Sequence, residues 1–243
     1  MIKRDMVRFR NCILIGCAAF SIAVLSGCAF GDRVVCVTPV IAETCPETTV
    51  HTEIKVLAPE DSRGKKANFV AYVRNGFRMH TADVLADKTV QQWVQDTLIA
   101  NLKKAGYNPI AGGDKNIDGI SISTKISKLE CDVGVQYDSS ITITVTVQKD
   151  NVTAFQDTYH GEAKQPGFWM NSAEYQDVLQ KTMQNCVNNM MPDLLRKLEK
   201  VSAEYVSEKE TENSSKVIND SSKAEKNKNN AVNKTNAEKD NYF

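Results

Sequence analysis

The sequence predicts an α+β fold, in which a small antiparallel or mixed sheet of about four strands carries two helices packed on one face. Residues 119–129, 140–148 and 152–161 show period-two patterns, which are typical of neighbouring strands with one polar face. Helical patterns occupy residues 89–105 and the stretch that begins at residue 172. The predicted element order is therefore β-α-β-β-β-α.

The first elements precede a well-marked helix. Residues 54–59, IKVLAP, predict a short strand, and residues 68–74, NFVAYVR, predict another. Apolar residues then recur at helical spacing through 89–105, so that Trp93 is expected in the core. Thr89, with Gln92 three positions later, forms a capping-box pattern that predicts where this helix begins.

The next three strands are expected to form a meander. Isoleucines alternate with polar residues up to Ile126, and the apolar phase then shifts to Leu129, which indicates a bulge or a strand end. Residues 140–148 alternate apolar residues with threonines, and 149–151 supply a turn into 152–161.

The second helix is expected to begin near Ser172, a good N-cap residue, with Glu174 in its first turn. Pro192 is expected to kink or restart it. Asn, Lys, Glu and Ser dominate residues 202–243, so this segment is expected to be a disordered tail behind a 53–201 body.

The N-terminus predicts a lipoprotein signal peptide over residues 1–27. A basic start is followed by the uncharged stretch 12–25, as in secretory signals. The tetrapeptide Leu25-Ser26-Gly27-Cys28 resembles the lipobox of bacterial lipoproteins, which implies cleavage between Gly27 and Cys28 and a lipid on the Cys28 thiol. An uncleaved anchor helix over 12–30 is the alternative.

Both alternatives place the rest of the chain outside the cytoplasm. Residues 28–52 are rich in Thr, Val and Pro and are expected to form a tether between the lipid and the body. Ala29 resembles the outer-membrane sorting signal of Gram-negative lipoproteins, which implies an outer-membrane anchor with the body in the periplasm. Inner-membrane anchoring is the alternative, and no cofactor other than the covalent lipid is expected.

Charge and cysteine content bound the chemistry. The whole chain has 30 basic and 30 acidic residues, so nothing favours a nucleic-acid partner. In an oxidising compartment Cys36, Cys45, Cys131 and Cys186 predict disulfides, with Cys36–Cys45 and Cys131–Cys186 favoured by locality. Buried free thiols are the alternative for the second pair. Metal binding is not expected, because no CxxC or HxxxH spacing occurs.

Three short motifs precede the first helix: Asp61-Ser62-Arg63, Asn75-Gly76-Phe77 and Thr81-Ala82-Asp83-Val84. With the strand and helix patterns that follow, their order over about residues 50–200 resembles the YajG family of bacterial lipoproteins. That resemblance implies a fold similar to auxiliary lipoproteins of outer-membrane lipid transport, although a fold does not define a function.

The connection 59–88 is the candidate binding surface for an envelope protein or a lipid, because long connections are usually functional or disordered. An ordered strand-and-turn connection, with a local ion pair between Asp61 and Arg63, is the alternative. The candidate residues combine charge with an aromatic ring: Asp61, Arg63, Arg74, Phe77, Arg78, His80 and Asp83.

The chain is therefore expected to be a non-enzymatic binding or auxiliary component of the envelope, linked to lipid transport or envelope assembly. A structural lipoprotein whose 202–243 tail contacts the cell wall is the second hypothesis. A cell-wall hydrolase, using Asp132 with Asp138 or His80 beside Asp83, is a remote third, because neither pair has a nucleophile at a signature spacing.

The lipid assignment is directly testable. A Cys28→Ser variant should accumulate as uncleaved precursor, because the serine hydroxyl cannot take up the lipid that precedes cleavage. The mass of the membrane-associated product measures this, and normal maturation of the variant would contradict the assignment.

Overall fold

The computed structural model describes residues 31–75, 77–112, 118–167 and 171–239, with side chains up to Thr211 in the last range. The predicted signal peptide and the predicted cleavage site between Gly27 and Cys28 lie outside the described residues. Two sheets and two helices form the described structure. The elements are β1 Arg33–Val35, β2 Glu53–Val56, β3 Glu60–Asp61, β4 Phe69–Arg74, β5 His80–Ala86, α1 Val90–Lys104, β6 Asn108–Ala111, β7 Ile120–Val133, β8 Gln136–Lys149, β9 Val152–Pro166 and α2 Ser172–Lys239.

The main sheet has the order β6-β2-β7-β8-β9, with β3 also paired to β7. Strands β7, β8 and β9 are antiparallel, which confirms the predicted meander, whereas β2 is parallel to both β6 and β7. The register shifts between Ile126 and Lys128, where the apolar phase predicted a bulge. Asp150 and Asn151 both have positive φ, as a tight two-residue hairpin turn requires.

The second sheet has the order β1-β5-β4, with β1 parallel and β4 antiparallel to β5. The α+β class is confirmed, but the prediction of a single sheet of about four strands is wrong. Strand β1 has only three residues, and its partner β5 lies some fifty residues away in the sequence, with Arg33 opposite Val84. Local periodicity does not report such long-range pairing.

Both helices lie on the apolar face of the main sheet, α1 against β2, β3 and β6 and α2 against β8 and β9. The capping box is present, since the Thr89 side chain accepts a hydrogen bond from Gln92 N. Trp93 is fully buried, as predicted, and its indole donates to Thr38 O at 2.8 Å.

The expected tether is instead a strap that packs along both helices. Val35, Val37, Val40 and Ala42 are buried in the core. Helix α1 satisfies backbone groups of Val40 and Ala42, because the buried Asn101 amide donates to Val40 O at 2.7 Å and accepts from Ala42 N at 2.8 Å. The tether prediction for residues 28–52 is therefore wrong for the described part of that segment.

The helical body extends past the predicted boundary at residue 201. Pro192 lies inside α2 without ending it, and the backbone of α2 continues to Lys239. Ser202 is fully buried, and Tyr205 packs against the core. The predicted tail over 202–243 therefore begins as ordered helix, because the apolar stripe of α2 still has core to cover at these positions.

All four described cysteines are free thiols, so neither predicted disulfide is present. The extended strap separates Cys36 from Cys45, because the backbone of Cys36 contacts Gln176 of α2 whereas the Cys45 thiol contacts Asn101 O of α1. Cys131 lies on β7, and Cys186 packs against β9. Strand β8 lies between them, so they are about 10 Å apart, beyond disulfide reach.

Strand β9 is an edge of the main sheet, and α2 covers part of that edge. Asn185 Nδ2 donates to Glu162 O at 2.7 Å, and Asn189 Nδ2 donates to His160 O at 3.1 Å. Gly161 lies between these two carbonyls, and a Cβ there would contact Thr182 O and would lie 2.6 Å from Cys186 Cβ. The absence of a side chain at Gly161 therefore lets α2 approach closely enough for both asparagines to reach the strand.

A methyl group at Gly161 should destabilise the fold. We expect Gly161→Ala to lower the free energy of unfolding by about 1–3 kcal/mol, because the helix backbone must move away from β9. Urea unfolding measures the loss. Gly31→Ala is the control, since a Cβ at Gly31 meets nothing within 4 Å, and its effect should stay within about 0.5 kcal/mol. Equal effects of the two substitutions would contradict the close approach.

Candidate functional site

A cleft opens between β4 of the small sheet and β7 of the main sheet. Its volume is about 270 Å³, near the lower end for ligand sites. Strand β7, with its bulge at Ile126–Lys128, forms one wall of the cleft. Strand β4 and the loop before it form the other wall. The cleft is lined by Arg63, Lys65, Phe69, Ala71, Tyr72, Arg74 and residues 127–132.

A buried ion pair closes one end of the cleft. Arg63 Nη2 lies 2.6 Å from Asp61 Oδ2, and the two side chains are only 3% and 7% exposed. Arg63 Nη1 also donates to Phe69 O at 2.7 Å, which ties the loop to β4. The pKa of Asp61 lies below its ordinary value, mainly because the Arg63 side chain donates hydrogen bonds to its carboxylate. The ion pair between Asp61 and Arg63, which the sequence suggested as an alternative, is therefore present.

Lys65 supplies a cation beside two aromatic rings. Its ammonium lies 5.3 Å from the centroid of the Tyr72 ring and 5.7 Å from that of Phe69, and it donates to Tyr72 Oη at 2.7 Å. No carboxylate among the described side chains forms an ion pair with it. Such a cation, held by rings rather than by an acid, is available to an anionic ligand.

A second ion pair joins the two sheets at the other end of the cleft. Arg74 Nε donates to Asp132 Oδ1 at 2.6 Å, and Arg74 Nη1 donates to Arg78 O at 3.0 Å. Arg74 therefore links the end of β4 to the end of β7 and to the turn that follows β4. Both side chains are partly exposed, so this link is weaker than the Asp61–Arg63 pair.

His80 and Asp83 lie on β5 and are not among the residues that line the cleft. His80 Nε2 lies 3.0 Å from Asp83 Oδ1, and Lys66 Nζ lies 3.0 Å from Asp83 Oδ2. The hydrogen bond from Lys66 is the largest cause that lowers the pKa of Asp83. The His80 ring packs edge-on against Tyr72, so it supports the ring that faces Lys65.

The structure divides the predicted surface into three parts. Arg63 and Arg74 line the cleft, His80 and Asp83 flank it, and Phe77 and Arg78 are exposed on the turn beyond it. Sequence reasoning missed Lys65, Phe69 and Tyr72. The alternation of Phe69, Ala71 and Val73 with Tyr72 marked a strand but did not show which side chains face a second sheet.

The two residue pairs considered for hydrolysis, Asp132 with Asp138 and His80 with Asp83, contact neighbouring side chains. Asp132 and Asp138 are directly opposite each other on β7 and β8, and each pairs with a cation, Arg74 and Lys164 respectively. Burial raises the pKa of the Cys131 thiol to about 12, so it stays protonated at neutral pH. Within the described ranges, no three His, Cys, Asp or Glu side chains cluster as a metal-ligand set.

The fold is a small α+β domain with a surface cleft between its two sheets. The chain belongs to the Lipoprotein_16 family of uncharacterized lipoproteins, whose family model matches residues 43–195. A comparison with curated proteins finds no significant match. Among the described residues, no helix has both the length and the apolar character needed to cross a membrane.

The chain is similar to solved structures of low sequence identity. Protein XCC0632 from Xanthomonas campestris superposes with a TM-score of 0.51 and 10% identity, over 71% of this chain and 98% of that one. Protein CT253 from Chlamydia trachomatis gives 0.41 and 9%, over 61% and 96%. Lipoprotein GNA1162 from Neisseria meningitidis gives 0.33 and 8%, over 46% and 83%. The likeness to protein XCC0632, at 10% identity, concerns the fold alone.

The Asp61–Arg63 pair predicts a pH-dependent stability. Asp61→Asn leaves the buried Arg63 guanidinium without its counter-charge and should cost about 3 kcal/mol at pH 7. The lowered pKa of Asp61 means that the wild type loses this contribution as pH falls below the unfolded-state value of about 3.9. The gap between variant and wild type should therefore narrow at acidic pH.

Urea unfolding at pH 7 and at pH 3 measures both effects. The matched control is Glu60→Gln, which removes an exposed pair with Lys125 and should cost less than about 1 kcal/mol. A gap between Asp61→Asn and wild type that does not change with pH would contradict the assignment.

Proposed function

We propose that this lipoprotein is a non-enzymatic binding component of the bacterial cell envelope, linked to lipid transport or envelope assembly. Its Cys28 lipid anchors it to the outer membrane with the body in the periplasm; inner-membrane anchoring is the alternative. The family assignment, the Leu25-Ser26-Gly27-Cys28 tetrapeptide and Ala29 support this location. The proposal includes the finer assignment to the YajG family, on the order of motifs before the first helix.

The observation that carries the binding role is the Lys65 ammonium between two rings at the cleft. Among the residues that line the cleft, Arg63, Lys65, Arg74 and Lys128 are basic, whereas Glu130 and Asp132 are acidic. Arg63 is neutralised by Asp61, Arg74 by Asp132 and Lys128 by Glu130, which leaves Lys65 as the available cation among these residues. A space of about 270 Å³ suits a small group rather than a whole lipid.

The ligand that fits these features is the anionic head group of a lipid. The phosphate matches the Lys65 ammonium, and the glycerol backbone matches the faces of Phe69 and Tyr72. Binding rather than catalysis is supported by the ion pairs that occupy the nearby acids and by the protonated Cys131 thiol.

Lys65→Ala should weaken the binding of short-chain phosphatidylglycerol to the mature lipoprotein about tenfold or more, because one charge-assisted hydrogen bond is lost. Native mass spectrometry measures the one-to-one complex, and phosphatidylcholine of the same chain length tests the need for net negative charge. Lys66→Ala is the matched control, because Lys66 pairs with Asp83 and does not line the cleft. Its binding should equal that of the wild type.

Equal binding by Lys65→Ala and wild type would remove the cleft from the proposal. The second candidate, a structural lipoprotein that contacts the cell wall through its C-terminal region, would then be favoured. The observation behind it is the length of α2, whose 68 residues span about 100 Å, well beyond the sheet that it covers.

A further inference from the structure

Two turns lie side by side at one end of the molecule. One joins β4 to β5 and contains Phe77, Arg78 and Met79; the other joins β7 to β8 and contains Gly134 and Val135. The first turn directly follows the end of β4, and the second directly follows the end of β7. The Arg74–Asp132 ion pair joins these two strand ends. A Cβ on Gly134 would lie 3.1 Å from Arg78 Nη2, so the two turns are in contact.

Large apolar side chains project from these turns into solvent. Phe77 is 86% exposed, Met79 is 57% exposed and Val135 is 94% exposed. We call these three residues the apolar tip. A cluster of exposed large apolar side chains marks an interaction site, whereas single exposed residues do not.

The turn that carries Phe77 is held by hydrogen bonds. Asn75 Oδ1 accepts from the backbone N–H groups of Phe77 and Met79, each at 3.0 Å. Asn75 N donates to Met79 O at 3.0 Å, and Arg78 N donates to Asn75 O at 2.8 Å. Arg78 has a φ of 62°, a left-handed conformation that side chains other than glycine rarely adopt. The exposure of Phe77 is therefore built into an ordered turn.

The N-terminal end of the described chain lies beside the strand that leaves this turn. Asp83 N donates to Asp32 Oδ1 at 2.9 Å, and β1 then runs parallel to β5. Cys28 is four residues before Asp32, so its Cα lies within about 14 Å of Asp32.

The opposite end of the molecule is out of reach of that anchor. Strand β8 has 14 residues and is about 47 Å long, and the Asp150–Asn151 turn lies at its far end. A lipid on Cys28 therefore brings the end with the apolar tip to the membrane and leaves the Asp150–Asn151 turn away from it.

We propose that the apolar tip inserts into the leaflet that holds the lipid of Cys28. This inference rests on the lipid anchor included in the proposed function. Phe77, Met79 and Val135 enter the interface between head groups and acyl chains, where exposed aromatic and apolar residues are stabilised. Arg78, which forms no ion pair with a described carboxylate, faces the lipid phosphates. Anchor and tip together fix the orientation of the body, with the cleft mouth near the membrane surface.

Tryptophan reporters test this contact in the lipidated, full-length mature protein. Phe77→Trp and Val135→Trp place an indole on each turn of the tip. Val152→Trp is the matched control, because Val152 is also apolar and 70% exposed but lies next to the Asp150–Asn151 turn. The protein is reconstituted into phosphatidylglycerol and phosphatidylcholine vesicles with plain or brominated acyl chains. Subtraction of the wild-type spectrum removes the two native tryptophans.

The expected result is a shift of Phe77→Trp and Val135→Trp emission to shorter wavelength and a loss of intensity with brominated lipid, with neither change for Val152→Trp. If the proteins float with the vesicles but neither tip reporter responds, the inference is overturned while the anchor stands. Equal quenching of all three reporters also overturns it, since the contact would not be specific to the tip. If the wild-type protein does not float with the vesicles, the lipid anchor is contradicted. Both the proposed function and this inference are then contradicted with it.

Discussion

Burial of one face of the β7–β8–β9 meander dictates where the other elements lie. Ile122, Ile143 and Val145 point to the buried side, whereas Thr144 and Thr158 hydrogen-bond to each other at 2.9 Å on the solvent side. Because only one face is apolar, both helices must share it. Two helices side by side leave a groove between them, and the N-terminal strap fills that groove.

The strap changes what the N-terminus does. A free tether would let the body move far from its lipid, but residues from Arg33 onward already belong to a strand and then to the core. Asn101 holds the strap through a buried amide, which is costly to leave unpaired and therefore specifies a single path. In the orientation that we propose, the end of the molecule that faces the membrane is set by this packing rather than by chain flexibility.

Features encoded within a few residues were predictable, and features encoded by distant contacts were not. The Thr89–Gln92 capping box and the phase shift after Ile126 are local, and both appear where the sequence indicated. The strap was missed because its hydrogen-bond partners, such as Asn101, lie some sixty residues away. The predicted Cys36–Cys45 disulfide failed because the strap is extended, and the predicted Cys131–Cys186 disulfide failed because β8 lies between β7 and β9.

The candidate site shows the same division. The Asp61–Arg63 pair was foreseen as an alternative, since its members are two residues apart. Nothing in the sequence distinguishes Lys65 from its neighbour Lys66; only the structure shows that Lys66 has an acidic partner and that Lys65 has aromatic ones. Which cation is available thus depends on how the loop before β4 packs against β4 and β5 of the small sheet.

The two asparagine amides on the edge of β9 have a consequence for crowded surfaces. Proteins held on one leaflet move in two dimensions and meet repeatedly in similar orientations, which favours strand-to-strand addition at open sheet edges. Asn185 and Asn189 already occupy the carbonyls of Glu162 and His160, so an incoming strand finds these acceptors taken. Gly161 thereby protects part of the edge as well as allowing α2 to pack, because without the close approach that it allows, these two carbonyls would be open to an incoming strand.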